Sequence, residues 1–215
     1  MTALPRRKRF GYVPKVVIGL LFALLCFSAC DITAALPVPA ATPTPCSRNC
    51  PPLVRSGSGQ SHTIQTRDFT LLYFDPWSVQ YSNSQSVILV ASTDFGDLTV
   101  MVASQAVAPG TSSAELLSQT EQQTLYPSQY TNIVDTGVIR GAEIGYVDGS
   151  GESYEAAYLQ PNTPDLPVYL QLMASVRGTT GLTFVAISPL DPNSSDAHLV
   201  PDAEYDHIVN SIEWL

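Results

Sequence analysis

Lysine is missing from this chain after Lys15, and arginine nearly so: beyond Arg67 only Arg140 and Arg177 follow. Acidic residues run the other way. Of the 19, only Asp31 precedes Asp68, and the formal net charge of the 215-residue chain is −9. Phosphate contacts need clustered Lys and Arg, so this balance argues against nucleic acid as a partner. It also sets the C-terminal part against anionic head groups, and favours weak cation binding or a basic protein partner. The nucleophile elbow G-x-S-x-G is absent. Cysteine is scarce, at 4 residues, which leaves little for a disulfide framework. Apolar residues are not scarce. At 45% they are too many for a chain disordered throughout, and the length suits one core of ordinary size or two small ones.

The N-terminus carries a targeting pattern. Arg6 to Arg9 and Lys15 form a positive region, and Val16 to Phe27 is an apolar run. That run is shorter than the about 20 residues a bilayer span takes, so it reads as a secretory signal. Phe27-Ser28-Ala29-Cys30 resembles the bacterial lipobox, in which an apolar residue and two small ones precede Cys. The resemblance implies cleavage before Cys30 and diacylglycerol on its sulfur. The product would be held at the bacterial cell membrane, lipid-anchored and facing the extracytoplasmic side. An ordinary cleaved signal and an uncleaved anchor helix are the alternatives. The anchor's strength would follow chain number, since each buried CH₂ contributes about 0.8 kcal/mol.

Residues 30–66 read as a tether. Pro37, Pro39, Pro43, Pro45, Pro51 and Pro52 stand among Ala, Thr, Ser and Gly without a hydrophobic period. Proline lacks the N–H donor and favours extended chain, so neither a helix nor a central strand fits. Such a tether reaches roughly 30 Å as a coil and roughly 110 Å as polyproline II. It contains Cys46 and Cys50, spaced C-x₃-C, which in an oxidising compartment would close a small disulfide loop. The competing metal reading adds His62 as a third ligand but finds no fourth.

Residues 67–215 then form a single folded body after the 1–29 signal and the tether. Strand patterns dominate it. Phe69 to Phe74 opens the body, Asp75-Pro76-Trp77 breaks it, and Val79 to Tyr81 resumes it. Val87 to Ala91 and Leu98 to Val102, joined at Asp94-Phe95-Gly96-Asp97, read as a hairpin. Ser112-Ser113-Ala114-Glu115 is a capping box that starts a helix, and Pro127 stops it. Thr131 to Asp135 is a short strand and Val138 to Val147 a longer one. Asp148-Gly149-Ser150-Gly151 is a turn, and Tyr154, Ala156 and Tyr158 share a face of the returning strand. Val168 to Arg177 alternates cleanly, and Leu182 to Ile187 is apolar on both sides. Tyr205, Ile208, Val209 and Ile212 make the apolar stripe of a final helix, and Trp214 and Leu215 predict a packed C-terminus. The predicted class is α+β: a twisted antiparallel sheet flanked by helices, an α/β/α sandwich.

Three stretches carry a family likeness. Phe69-x₃-Tyr73-x₂-Pro76-Trp77 resembles the opening of PsbP-like domains, Val138-Ile139-Arg140-Gly141-Ala142 the strand after their first helix, and Asp206-His207-Ile208-Val209-Asn210-Ser211-Ile212 their C-terminal helix. The resemblance covers about 67–215 and implies the Mog/PsbP-type fold, shared by photosystem II extrinsic subunits, a Ran-binding protein and small bacterial lipoproteins. It also implies non-enzymatic work, docking to a larger complex. The photosynthetic subunit docks partly through basic residues, whereas residues 67–215 here hold no Lys and only Arg67, Arg140 and Arg177.

Candidate sites are few. His207 beside Asp206 falls opposite the apolar stripe, and Asp191 to Asp196 is oxygen-rich but lacks the glycine and closing Glu of a calcium loop. Asp94 and Asp97 would hold a cation only weakly. Tyr73, Trp77, Tyr154, Tyr158 and Tyr169 either pack in the core or line a groove for a partner or apolar ligand. No catalytic residue, metal ligand set or cofactor is assigned. The reading is a lipid-anchored, non-catalytic accessory module docking to another envelope protein. Carriage of a small apolar ligand or lipid, and hydrolysis by an Asp/His/Ser set, are the alternatives.

Overall fold

The computed structural model describes residues 60–93, 96–161, 164–190 and 199–215. Cys30, Cys46, Cys50, Asp94 and the Asp191 to Asp196 loop lie outside them, as do the expected signal and most of the expected tether.

Antiparallel sheet dominates. In chain order the strands are β1 (Ser61–Gln65), β2 (Phe69–Phe74), β3 (Ser78–Ser82), β4 (Ser86–Thr93), β5 (Gly96–Ala106), β6 (Tyr130–Val138), β7 (Glu143–Ile144), β8 (Val147–Tyr158), β9 (Leu166–Arg177), β10 (Thr180–Pro189) and β11 (Glu213–Trp214). Helix α1 (Ser113–Thr124) follows β5, and α2 (Leu199–Asn210) precedes β11. The large sheet has the order β3-β4-β5-β10-β9-β8-β6, with β7 paired to β8, and a second sheet has the order β1-β2-β11.

The expected hairpin is β4–β5, with Leu89 opposite Val100. The capping box also forms: Ser112 Oγ accepts from the Glu115 N–H at 3.2 Å, and Glu115 Oε2 accepts from the Ser112 N–H at 2.7 Å. Alternation divides the large sheet between two cores. Leu89, Val100, Leu182 and Phe184 join Phe69, Leu71, Tyr205, Ile208, Ile212 and Trp214 on one side. Leu170, Leu172, Ala174 and Val185 join Leu116 and Leu117 of α1 on the other. Of the C-terminus expected to be packed through Trp214 and Leu215, Trp214 is buried, its Nε1–H donating to the Ile144 carbonyl at 2.7 Å with Arg177 5.6 Å over its ring, whereas Leu215 is 55% exposed.

Four expectations change. The sheet is not flanked simply by helices. α1 covers one face, while the other is covered by the three-stranded sheet together with α2, because β2 brings Phe69 and Leu71 into that core with β1 and β11 paired along it. That pairing reaches into the stretch read as tether, since β1 sets Ile64 opposite Leu71. Finally, Asp148 to Gly151 is not a turn but part of β8, and the long strand expected over Val138 to Val147 is broken between β6 and β7. Gly149 serves close approach: a Cβ there would stand 2.5 Å from both the Ala174 carbonyl oxygen and Ser175 Oγ. The true turn is Gly145-Tyr146, whose φ angles of +57° and +62° suit a two-residue hairpin of the primed type.

Candidate functional site

Residues four apart on a helix share a face, and residues two apart on a strand do too. Leu117 therefore carries Glu121 with it towards the sheet, and Tyr154 carries Glu152 towards α1. The result is a cluster that joins helix to strand. The Tyr154 hydroxyl lies 2.9 Å from Glu121 Oε1 and 2.7 Å from Glu152 Oε2. A phenol has one hydrogen, so it donates to one carboxylate at a time while the other faces a like charge. Asp135 of β6 sits opposite Tyr154 in the register and accepts from the Gly137 N–H at 2.8 Å.

Electrostatics follow from this crowding. Burial pushes the Glu121 carboxyl above its ordinary range; the Tyr154 hydrogen bond opposes this, and the negative charges of Glu152 and Asp135 add to it. Burial likewise drives the Tyr154 phenol well above its usual value, helped by the two carboxylates, which accept its hydrogen bond and would repel a phenolate. Tyr154 itself is only 7% exposed, so the cluster is anchored in the second core.

In front of the two carboxylates lies an open groove of about 650 Å³ between α1 and the β6–β8 end of the sheet, lined among others by Leu117, Glu121, Val138, Arg140, Asp148 and Glu152. Three carboxylates and one guanidinium thus line the groove together with aliphatic side chains. Val138 stands on the lip, 71% exposed. The neighbouring strand β6, which ends the strand order among the described residues, exposes Ile133 and Val134 at 38% and 56% beside the polar Asn132 and Asp135. The set offers hydrogen-bond acceptors and an excess of negative charge, which is chemistry for holding a cationic group.

The five aromatic candidates do not converge. Trp77 packs 6.3 Å from Tyr205 in the first core, and Tyr73 stacks on His62 at 5.2 Å. Tyr158 meets Tyr130 edge-on at 5.6 Å on the α1 side, whereas Tyr169 alternates with Val168 and Leu170 and so faces away from α1. Tyr154 alone bears on the groove, by holding its carboxylates. His62 Nε2 pairs with Asp75 Oδ1 at 3.2 Å on the surface. Among the described residues there is no group of three or more His, Cys, Asp or Glu placed to hold a metal ion, and no helix long and apolar enough to cross a membrane. Sequence reasoning missed Glu121 and Glu152. The local signal was there, a carboxylate two residues from Tyr154 and another one turn after Leu117, but nothing local says that this helix lies on that strand.

No family model and no curated protein matches the chain. Solved structures do. The Ran-binding protein Mog1p of Saccharomyces cerevisiae is similar at a TM-score of 0.49 and 9% identity, over 73% of this chain and 96% of that one. LpqN, involved in cell envelope biogenesis of Mycobacterium tuberculosis, is similar at 0.43 and 12%, over 75% and 94%. PsbP (CyanoP) of Synechocystis sp. PCC 6803 is similar at 0.41 and 12%, over 78% and 98%. Against a Bacteroides thetaiotaomicron VPI-5482 protein, at 0.42 and 11%, the chain covers 71% of itself but spans about half of that protein's length, 49%. The PsbP/Mog-type resemblance read from the residues thus meets a PsbP and a Mog1p among the similar structures.

Proposed function

We propose that this chain is an accessory module of the bacterial envelope, lipid-anchored through Cys30 on the extracytoplasmic side, docking to another envelope protein without covalent chemistry of its own. The carrying observation is the open acidic groove beside β6, which ends the large sheet among the described residues and exposes Ile133, Val134 and Val138. A surface so rich in acceptors and poor in cations is complementary to a basic protein surface, and apolar residues at its lip add the desolvated contact that specific interfaces use. The lipobox-like Phe27 to Cys30 segment and the proline-rich stretch supply the anchor and the reach in this reading, with Cys46 and Cys50 closing a small loop on the way.

Crosslinking of the full-length protein in its native membrane, followed by pull-down, tests this function. The expected outcome is recovery of one or a few envelope proteins in stoichiometric amounts with wild type, and loss of both membrane retention and partner recovery with Cys30→Ser. Membrane retention unchanged by Cys30→Ser would overturn the anchor. Steady turnover of a metabolite by the purified protein would overturn the non-catalytic role.

A further inference from the structure

The docking reading leaves open which chemistry the partner presents, and the groove answers that. Glu121, Glu152 and Asp148 line it with a single guanidinium, Arg140, and Asp135 lies opposite Tyr154 on the adjoining strand. The other two arginines of the folded body are already committed: Arg67 is bonded to Asp68 at 2.9 Å, and Arg177 lies over Trp214 and donates to the Leu215 carbonyl at 3.2 Å. The paired carboxylates share one phenolic hydrogen, so one of them has an acceptor to spare towards the groove. A planar guanidinium or an ammonium would supply the donors that Tyr154 cannot. The lip of the same groove is aliphatic, through Val138, with Ile133 and Val134 exposed further along the edge strand. A second copy of this acidic surface would meet it with repulsion, as would an anionic membrane.

We propose that the groove and the adjoining edge of β6 receive a segment of the partner protein in which Arg or Lys is flanked by aliphatic residues. The cationic side chain enters between Glu121 and Glu152, and the aliphatic neighbours cover Val138. This rests on the docking reading above and names the partner's chemistry.

The test uses the full-length protein and three labelled peptides of about eight residues, the length of a strand: alternating Arg and Val, alternating Arg and Ser, and alternating Glu and Val. Fluorescence anisotropy is read at low and physiological salt. The Arg/Val peptide should bind, weakening as salt rises, while the Glu/Val peptide does not. Glu121→Gln with Glu152→Gln should weaken binding about tenfold, and Val138→Ser should lower the Arg/Val affinity towards that of Arg/Ser. Thermal melts of each variant establish that it is folded, and Arg140→Ala, which removes the competing cation, should tighten binding. Equal affinity for Arg/Val and Arg/Ser, or binding untouched by the carboxylate variants in folded protein, would overturn the proposal. So would sedimentation showing a dimer lost in Val138→Ser, since the occupant would then be a second copy. The two readings fail separately. Native partners recovered equally by wild type and the double Gln variant would retain docking and remove this surface. Peptide binding without any recovered native partner would remove the docking role itself.

Discussion

The cluster that joins α1 to β8 gives a prediction with opposite signs for two conservative changes. Tyr154→Phe keeps the buried ring but deletes the phenolic hydrogen offered to Glu121 and Glu152. Hydrogen bonds to charged groups are worth about 1.5–3 kcal/mol, and because both carboxylates still reach water the low end applies, about 1.5 kcal/mol at neutral pH. For a folded body of this size that lowers Tm by about 3–6 °C. Glu121→Gln instead removes one of two like charges and provides an amide donor towards Glu152, so at neutral pH it stabilises, by up to about 1 kcal/mol for partly exposed groups. The pH dependence follows from the direction of the shift. The Glu121 carboxyl is raised above 4.5 in the folded protein, so between that value and its folded one the native state holds a proton the unfolded chain has lost. Stability therefore falls as pH rises through the window, and Glu121→Gln abolishes the fall. Urea denaturation of wild type and variants, followed by circular dichroism at about pH 4 and pH 7, measures both effects. The gain from Glu121→Gln should be present at the higher pH and vanish at the lower. If Glu121→Gln destabilised at pH 7 as much as Tyr154→Phe does, the two carboxylates would not be in conflict and the electrostatic account of the groove would fall.

Trp214→Ala should cost about 3–5 kcal/mol, since it empties a nearly buried indole and frees the Ile144 carbonyl, whereas Trp214→Phe should cost about 1–3 kcal/mol through the lost hydrogen bond; equal melting of all three proteins would show the C-terminus is not a structural clamp. Gly149→Val should abolish the cooperative transition or lower it severely, because its Cβ would press on the Ala174 carbonyl, while Ser150→Val one residue along should be tolerated far better; comparable melts for the two would refute the close-approach reading. Asp68 takes hydrogen bonds from Arg67 and from Ser104 at 2.6 Å. Burial raises its carboxyl, but those partners outweigh it and hold it below the usual range. Its contribution is thus present above the ordinary carboxylate pKa and lost as pH falls through the folded one. Asp68→Asn should accordingly destabilise at neutral pH and converge with wild type in acid, as read by melts across that range; a constant difference at all pH values would assign the effect to shape rather than charge.

Much of this protein was written locally. The hairpin of β4 and β5, the capped start of α1, the alternation of β9, and the stripe of Tyr205, Ile208, Val209 and Ile212 all depend on neighbours within a few residues, where periodicity and capping chemistry act. So did the charge imbalance, which needs no fold at all. The tertiary structure alone decided three things. It recruited Ser61–Gln65 as a strand, since a short alternating segment gains its partners only from β2. It turned Gly149 from a turn residue into a point of close contact, because glycine marks both and only the neighbouring strand distinguishes them. And it brought Glu121 of α1 and Glu152 of β8 to one phenol, with Asp135 of β6 opposite it in the register, a meeting set by the packing of α1 on the sheet and invisible to any window of sequence.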